Sequence, residues 1–166
     1  MTPLFLRQGR ILRRLGLDDF QQVSDLVIAE ASTLLRQDFT EKAWEEFVDF
    51  ISPEQLFFRH SSGSVGWVVQ DETGGVEAFC EVRSTDASTG ETSQHIFSLF
   101  VRSTSAGHGL ARQLIEVSRK ELMPRKQTVF ASSYAEGFYE KMGFCPMGDR
   151  QQIKGIYCRP MEWHKT

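Results

Sequence analysis

The sequence has little of what marks disulfide-rich or metal-binding proteins. Three cysteines occur among 166 residues, and none of them belongs to a C-x-x-C pair. An odd, scattered set of cysteines favours free thiols in a reducing compartment, so we expect a cytoplasmic protein without a disulfide framework. The four histidines and three cysteines also lack the spacing of metal ligands, and no metal is predicted.

Long apolar runs and a strong charge of one sign are absent as well. No stretch approaches the roughly 20 apolar residues that a membrane-spanning helix needs, so no membrane segment is expected. The start, MTPLFLRQGRILRRLG, contains four arginines and lacks the long apolar region of a signal peptide. A net charge of −3 argues against general nucleic-acid binding and is compatible with a cationic substrate.

The elements that are present alternate as in one mixed α/β domain, which we expect to span residues 1–166. A strand in GRILRRLG precedes two amphipathic helices, predicted over residues 18–35 and 40–52 from apolar residues at helical spacing. Residues 53–61 favour a further short helix.

Capping signals support the two longer helices. Asp18 with Gln21 forms a candidate capping box for the first helix. Thr40 is a candidate N-cap for the second, which should end before Pro53.

The second half of the chain predicts mainly strands. VGWVVQ and VEAFCEVR form a hairpin through DETGG, and HIFSLFV follows a polar loop at residues 86–94. A helix closed by Pro124 comes next, then a strand in QTVFAS and a short helix in YAEGFYEKMG. The tail predicts two more strands around a turn.

One segment, VRSTSAGHGLARQLIE, connects a strand to a helix through a turn that has almost no side chains. A helix N-terminus leaves backbone N–H groups unpaired and carries a partial positive charge, which suits a phosphate that can come close. The spacing matches neither the P-loop nor G-x-G-x-x-G. A turn that merely allows tight strand-to-helix packing is the alternative.

This segment resembles motif A of the GNAT superfamily, the acetyl-CoA-dependent N-acetyltransferases. The family pattern has Gln or Arg, two variable residues, Gly, one variable residue, then Gly or Ala. Gly109 and Ala111 match it, whereas Ala106 stands where Gln or Arg is usual.

A second motif, SSYAEGFYEKMGF, resembles the later signature of the same family. Its matching positions are Ala135, Phe138, Tyr139, Gly143 and Phe144, while Ser132 replaces the usual Asn. Two motifs in the right order, each on a predicted strand–helix unit, are more specific than either alone.

The resemblance implies an α/β fold of the GNAT type, an α+β sandwich. Its mixed, mostly antiparallel central sheet would be splayed between the fourth and fifth strands, with helices on both faces. The implied co-substrate is acetyl-CoA, with the pantetheine arm on the backbone of the strand before the bare turn and the pyrophosphate on the turn. The residues expected to bind it are Leu99, Phe100, Val101, Ala106, Gly107, His108, Gly109, Leu110, Ala111, Arg112, Ser132 and Tyr139.

Two residues are predicted to handle protons during transfer. By resemblance Tyr139 is the general acid for the departing thiolate, with simple packing as the alternative. His95 has a suitable ordinary pKa for a base and stands where some family members carry a catalytic Glu. Strict alternation would put His95, Phe97, Leu99 and Val101 on one face and Ser98 on the other, unless a bulge resets the register. Glu81, acting through a water, is the second choice of base, and an exposed histidine at the strand start is the alternative for His95.

The expected function is therefore acetyl transfer from acetyl-CoA to a primary amine of a small molecule or peptide, by direct attack in a ternary complex. A non-catalytic or regulatory acyl-CoA-binding module is the alternative. The expected partners are acetyl-CoA and an amine acceptor, without nucleic acid or membrane, and a homodimer is compatible with the sequence. Carboxylates at Glu41, Glu45 and Glu46 suggest a cationic acceptor, but a solvated helix face explains them equally well.

Overall fold

A computed structural model describes residues 1–85 and 92–166 of the chain. In these segments the helices are α1 (Phe20–Leu34), α2 (Glu41–Phe50), α3 (Pro53–Ser61), α4 (Leu110–Leu122) and α5 (Glu136–Lys141). The strands are β1 (Leu4–Phe5), β2 (Ile11–Arg14), β3 (Val65–Gln70), β4 (Val76–Thr85), β5 (Ser93–Val101), β6 (Lys126–Ala131), β7 (Cys145–Pro146), β8 (Gln151–Ile153) and β9 (Ile156–His164).

Most predicted elements are found at the predicted places, but the chain ends differ. A short strand, β1, pairs with β2 ahead of the first predicted strand. The tail forms three strands instead of two, because β7 and β8 both pair with β9. Of the predicted polar loop at 86–94, residues 86–91 lie outside the described part, and β5 already begins at Ser93.

One of the two predicted helix caps is present in the structure. Thr40 caps α2, since its side chain accepts a hydrogen bond from the Ala43 amide at 3.2 Å. The expected box of Asp18 and Gln21 is wrong. Asp19 instead accepts from the Gly16 amide at 2.7 Å and from both terminal nitrogens of Arg13, at 2.6 and 2.9 Å. Arg13, the third residue of β2, thus pairs with the carboxylate that organises the start of α1.

The sheet has the strand order β1-β2-β3-β4-β5-β6-β9-β7, and β8 extends it by pairing with β9. All of these pairs are antiparallel except β5–β6, which is parallel. A parallel pair needs a crossover connection, and α4 provides it. The mixed, mostly antiparallel sheet that the sequence implied is confirmed.

The parallel pair separates along its length. Strands β5 and β6 pair only from Ser93 to Ile96 and from Lys126 to Val129. Beyond these residues β5 continues to Val101 and β6 to Ala131 without pairing to each other. The predicted splay between the fourth and fifth strands is this gap, because β1 adds one strand to the count.

A β-bulge on β5 decides which side chains face which layer. Glu81 of β4 pairs with Ser98, but its neighbour Val82 pairs with Ile96, so Phe97 is the extra residue. Leu99 and Val101 therefore lie on the same face as Ile96, and His95 lies on the other face. The strict alternation that would group His95 with Leu99 and Val101 is wrong for this reason.

Helices cover both faces of the sheet, as expected. On one face, α4 and α5 bury an apolar cluster that includes Leu114, Ile115 and Cys80. On the other, α1 and α3 bury a second cluster that includes Val27 and Phe79. Burying an aliphatic or phenyl side chain contributes about 1.5–3 kcal/mol, so these two layers provide most of the stabilisation. No helix in the described segments is long and apolar enough to cross a membrane.

Candidate active site

The bare turn between β5 and α4 is open where glycine replaces a side chain. Gly107 and Gly109 have left-handed backbones, with φ of 82° and 74°. A Cβ built on either residue would meet no heavy atom within 4 Å. The two glycines therefore satisfy the backbone geometry and leave space in front of the helix.

The N-terminus of α4 offers unpaired N–H groups to that space. The first hydrogen bond of the helix runs from the Gln113 amide to the Gly109 carbonyl, at 3.1 Å. The amides of Leu110, Ala111 and Arg112 consequently have no partner four residues earlier in the helix. Together with the helix dipole, they form a site suited to an anion.

Two carboxylates from other elements hold the chain before this turn. Glu30 of α1 accepts from the Ser103 amide at 3.0 Å and also from the Ser103 hydroxyl. Glu77 of β4 accepts from the Ser105 hydroxyl at 2.6 Å and from Arg10. The bond from Arg10 is the main cause that lowers the pKa of the Glu77 carboxyl. These anchors were not anticipated, because nothing in the local sequence links them to the turn.

The remaining predicted contacts of the turn lie at the surface. The His108 ring is oriented by its Nδ1, which lies 3.1 Å from the Ser105 carbonyl. Arg112 is largely exposed and lies 3.9 Å from Glu116, an ordinary surface pair one helical turn apart. Ala106 is exposed, and Ser132 is half-buried at the turn before α5. The Ser132 carbonyl accepts from the amides of the next helical turn, which fixes the start of α5.

Tyr139 lies on the face of the sheet that α4 and α5 cover. It is 4 % exposed, packs against Phe138 and Phe144 with ring centroids 5.3 and 5.2 Å apart, and lies near Cys80. Cys80 is the register partner of Leu99, which lies on the part of β5 that has no partner on its β6 side. Burial raises the pKa of the Tyr139 phenol well above its ordinary value. The group therefore keeps its proton at neutral pH.

His95 lies on the opposite face, where β5 and β6 last pair. Its Nδ1 is 2.8 Å from the Thr128 hydroxyl, which lies 3.4 Å from the Gln94 carbonyl. A hydroxyl that donates to the carbonyl must accept from Nδ1–H, so this arrangement favours the tautomer with a free Nε2 lone pair. Burial lowers the pKa of His95, so the ring is neutral at pH 7.

Glu81, the second candidate for the base, forms an ion pair with an arginine. Both of its oxygens accept from Arg59 of α3, at 2.9 and 3.0 Å, and both side chains are buried. Arg59 also stacks on Phe50, with its guanidinium 3.7 Å from the ring centroid. A carboxylate held in this way on both oxygens is poorly placed to accept a proton from a substrate.

Aromatic rings beside His95 form a feature that the motifs did not indicate. The ring centroids of Phe97 and Phe130 lie 5.5 and 4.9 Å from that of His95, and Phe50 contacts Phe97 at 5.9 Å. The only signal in the sequence was the alternation of apolar residues in two strands. It could not show that Phe97 and Phe130 remain exposed on this face of the sheet.

The predicted site residues thus divide between two sides of the gap. Leu99 and Val101 belong to the apolar cluster that contains Tyr139, on the side of α4 and α5, whereas His95 lies on the other side. Across residues 1–85 and 92–166, no group of three or more His, Cys, Asp or Glu side chains is placed to hold a metal ion.

Comparisons with solved structures agree with this architecture. The PaiA N-acetyltransferase from Thermoplasma acidophilum, in complex with coenzyme A, superposes with a TM-score of 0.72 at 15% identity, covering 94% of this chain and 99% of that one. A GCN5-related N-acetyltransferase from Rhodopseudomonas palustris gives a TM-score of 0.74 at 20% identity, covering 99% and 97%. A spermidine N-acetyltransferase chimera from Vibrio cholerae gives 0.66 at 20% identity, covering 93% and 95%.

Sequence comparison adds the family. No curated protein matches the chain significantly in sequence. The model of the acetyltransferase (GNAT) domain, however, matches residues 35–165, which is most of the chain. This match confirms the prediction made from the two motifs, and with it an acetyltransferase enzyme. The chain belongs to the GNAT family of acetyltransferases.

Proposed function

We propose that this enzyme transfers the acetyl group of acetyl-CoA to a primary amine by direct attack within a ternary complex. The observation that carries the proposal is the gap between β5 and β6, together with a phenol buried in the cluster that includes Leu99 and Val101 and a neutral imidazole on the opposite face of β5. One group can donate a proton and the other can accept one. Both are needed when an amide forms and a thioester breaks.

The gap and the bare turn together suit an extended, phosphate-bearing co-substrate. The backbone of Leu99, Phe100 and Val101 has no strand partner on the β6 side, so it can pair with the amide-containing pantetheine arm. The amides from Gly107 to Ala111 would then bind the pyrophosphate, with His108 and Arg112 beside it. Ala106 supplies no side-chain donor, so the backbone and the helix dipole carry this contact.

The roles proposed for His95 and Tyr139 follow from their protonation states. The amine nitrogen attacks the thioester carbonyl carbon, the C–N bond forms, and the C–S bond breaks. The proton leaving the nitrogen is accepted by Nε2 of His95, directly or through a water. The Tyr139 hydroxyl would donate to the departing sulfur from the face of the sheet that α4 and α5 cover, with Ser132 as a further contact of the co-substrate. A phenol that keeps its proton favours a neutral hydrogen-bond donor over a charged phenolate at this point.

The same proposal covers the extent of the unit. The family match begins at residue 35, but β1 and β2 belong to the same sheet as the rest. We therefore treat residues 1–166 as one catalytic domain with acetyl-CoA as its co-substrate. Among proteins of similar fold, the chimera is named for spermidine, which is a primary amine and agrees with an amine acceptor here.

Acetylated product, measured by mass spectrometry, tests the proposal directly. The protein is incubated with acetyl-CoA and a panel of primary amines, and acetyl-CoA affinity is measured in parallel by calorimetry. We expect N-acetylated product above the uncatalysed rate for at least one class of amine. Tight acetyl-CoA binding with no product from any class would contradict catalysis and favour an acyl-CoA-binding module.

A further inference from the structure

Two exposed phenylalanines and one half-buried phenylalanine form an apolar surface on the His95 side of the gap. We call Phe50, Phe97 and Phe130 the phenyl face. Phe97 is 37% exposed and Phe130 is 51% exposed, and they flank His95 on the two strands that diverge. Phe50 comes from the end of α2 and contacts Phe97 edge-on. The phenyl face thus surrounds the imidazole that the proposed function uses as the base.

The position of these rings in the sheet is unusual for exposed apolar groups. β5 and β6 are interior strands, with neighbours on both sides. The helices on this face contribute their buried residues against β3, β4 and the end of β5, and the face of β6 is left open. Clustered apolar rings that remain exposed in the middle of a sheet indicate a surface that binds a ligand.

Two carboxylates packed beside the phenyl face are already paired. The Arg59–Glu81 pair beneath Phe50 is internally neutralised by two hydrogen bonds. Glu162, the register partner of Thr128, lies 3.5 Å from Lys126 and 2.8 Å from His164. His95 itself is neutral at pH 7, since burial disfavours its charged form. The three phenyl rings are therefore the groups that we expect to recognise the acceptor substrate.

We propose that the phenyl face selects the acceptor, and that the acceptor is a primary amine joined by a short linker to an aromatic or similarly apolar group. The proposal rests on the proposed function, because it takes His95 as the point that the amine approaches. An amine near Nε2 of His95 places the group that carries it against Phe97 and Phe130. Stacking on these rings is favourable for an aromatic group and removes apolar surface from water.

Other acceptor classes lack matching groups on this face. A polyamine has further ammonium groups, which need carboxylates, but the carboxylates nearest the face are already paired. An α-amino acid carries a carboxylate beside its amine, which would need an unpaired cation next to His95. Arg83, the register partner of His95, is exposed, and its guanidinium lies 3.3 Å from the Ser62 carbonyl, directed toward α3.

The test compares kcat and KM for three amines: 2-phenylethylamine, 1,4-diaminobutane and L-alanine. The variants are Phe97→Ala and Phe130→Ala, with Phe5→Ala as the control. Phe5 is 83% exposed on β1, four strands away from β5 in the sheet. We expect 2-phenylethylamine to have the highest kcat/KM. Both test variants should raise its KM about tenfold, a fraction of the binding that a well-packed ring contributes. The control should leave KM unchanged.

The outcomes separate this proposal from the proposed function. If 1,4-diaminobutane or L-alanine is preferred and the phenylalanine variants do not change its KM, the acceptor class is wrong although acetyl transfer stands. If no amine is acetylated, the proposed function fails. Calorimetry of 2-phenylethylamine with the CoA-bound protein then tests whether the phenyl face binds an aromatic amine. Binding that Phe130→Ala weakens about tenfold supports it, and absence of binding overturns it.

Discussion

Tyr139 shows how burial changes the role of a residue that a motif identifies. An exposed phenol with a pKa near 10 could give its proton fully to a thiolate. In the structure burial raises the pKa of Tyr139, so complete transfer is less favourable. The hydroxyl stabilises the departing sulfur best as a hydrogen-bond donor, an interaction that strengthens only as negative charge develops there.

Tyr139→Phe should lower kcat by about 10²–10³-fold, the range typical of losing one hydrogen-bond donor to developing negative charge. Acetyl-CoA affinity should stay within a factor of two, because the ring and its packing remain. Steady-state kinetics and calorimetry measure the two quantities. Tyr134→Phe is the matched control, since Tyr134 is 68% exposed in the same segment. Near wild-type turnover in Tyr139→Phe would refute the donor role.

The pKa of His95 is shifted in the opposite direction, downward, and the direction of this shift can be tested. Burial lowers its pKa below the ordinary value of about 6.5, so the native protein favours the neutral ring. A neutral imidazole is the form that can accept a proton. In the unfolded chain the ring binds a proton more readily. The stability that the neutral ring contributes is therefore complete above about pH 6.5 and decreases as the pH falls toward the native pKa.

The kcat/KM profile of the wild-type enzyme should have an acidic limb centred below pH 6.5. His95→Gln should remove that limb and lower the rate most at neutral pH. Raising the pH should partly restore the variant, because more of the amine is already deprotonated. His164→Gln, a change to an exposed histidine, is the control. If the limb persists in His95→Gln, another group accepts the proton.

At the scale of elements, the turn into α4 depends on both its open backbone and its anchors. The left-handed glycines leave space, while Glu30 and Glu77 fix the preceding residues through Ser103 and Ser105. These anchors come from α1 and β4, so the candidate anion site is built by three elements. A substitution at the turn must therefore be judged against the strain that it adds to the backbone.

Gly109→Val should weaken acetyl-CoA binding by at least tenfold, which corresponds to about 1.4 kcal/mol. Its side chain would enter the space where the pyrophosphate is expected. A left-handed backbone also strains any residue with a Cβ, at a cost of about 1–2 kcal/mol. Gly74→Val controls for this strain, because Gly74 has a φ of 86° and open space around it in the β3–β4 turn.

Both variants should lose similar stability in denaturant unfolding, but only Gly109→Val should lose affinity in calorimetry. Equal affinities in the two folded variants would argue against an anion site at this turn.

At the scale of the whole molecule, one buried ion pair joins the helical layer to the sheet. Arg59 of α3 and Glu81 of β4 are only 7% and 3% exposed at their side chains. A buried pair of this kind is expensive to break from one side, because the remaining charge has no partner. The pair also supports the phenyl face, since Arg59 stacks on Phe50.

Arg59→Met should destabilise the fold by about 3–5 kcal/mol, because it leaves the Glu81 carboxylate buried and unpaired. The double change Arg59→Met with Glu81→Leu should recover most of this loss. Lys42→Met breaks an exposed pair with Glu46 at 3.8 Å and should change stability by less than about 1 kcal/mol. Urea unfolding of the variants gives the free energies. An additive double variant would show that the pair is not energetically coupled.

Much of the architecture could be predicted from local patterns. The helical faces of α1 and α4, the Thr40 cap and the hairpin between β3 and β4 all follow from residue spacing and turn chemistry, and all are present. The misplaced features depend on contacts across the chain. Asp19 displaced Asp18 as the organiser of α1 because Arg13 reaches it from β2, and spacing alone does not reveal such a partner.

The candidate site divides in the same way. The bare turn, Tyr139 and His95 could be named from the sequence, because their chemistry and their motifs are local. The faces that they occupy could not, since the bulge at Phe97 reverses the side on which every later residue of β5 points. The ion pair between Glu81 and Arg59 could likewise not be predicted, because the two residues meet only when α3 packs on β4.

The sequence by itself therefore determined the family, the order of the elements and the turn with few side chains before α4, because each depends on residues close together in the chain. Only the tertiary structure decided that Tyr139 and His95 lie on opposite faces of the sheet, and that Phe97 and Phe130 remain exposed beside His95. Those arrangements depend on strand register and on where two strands stop pairing. Both are set by the packing of distant segments, which a local pattern does not contain.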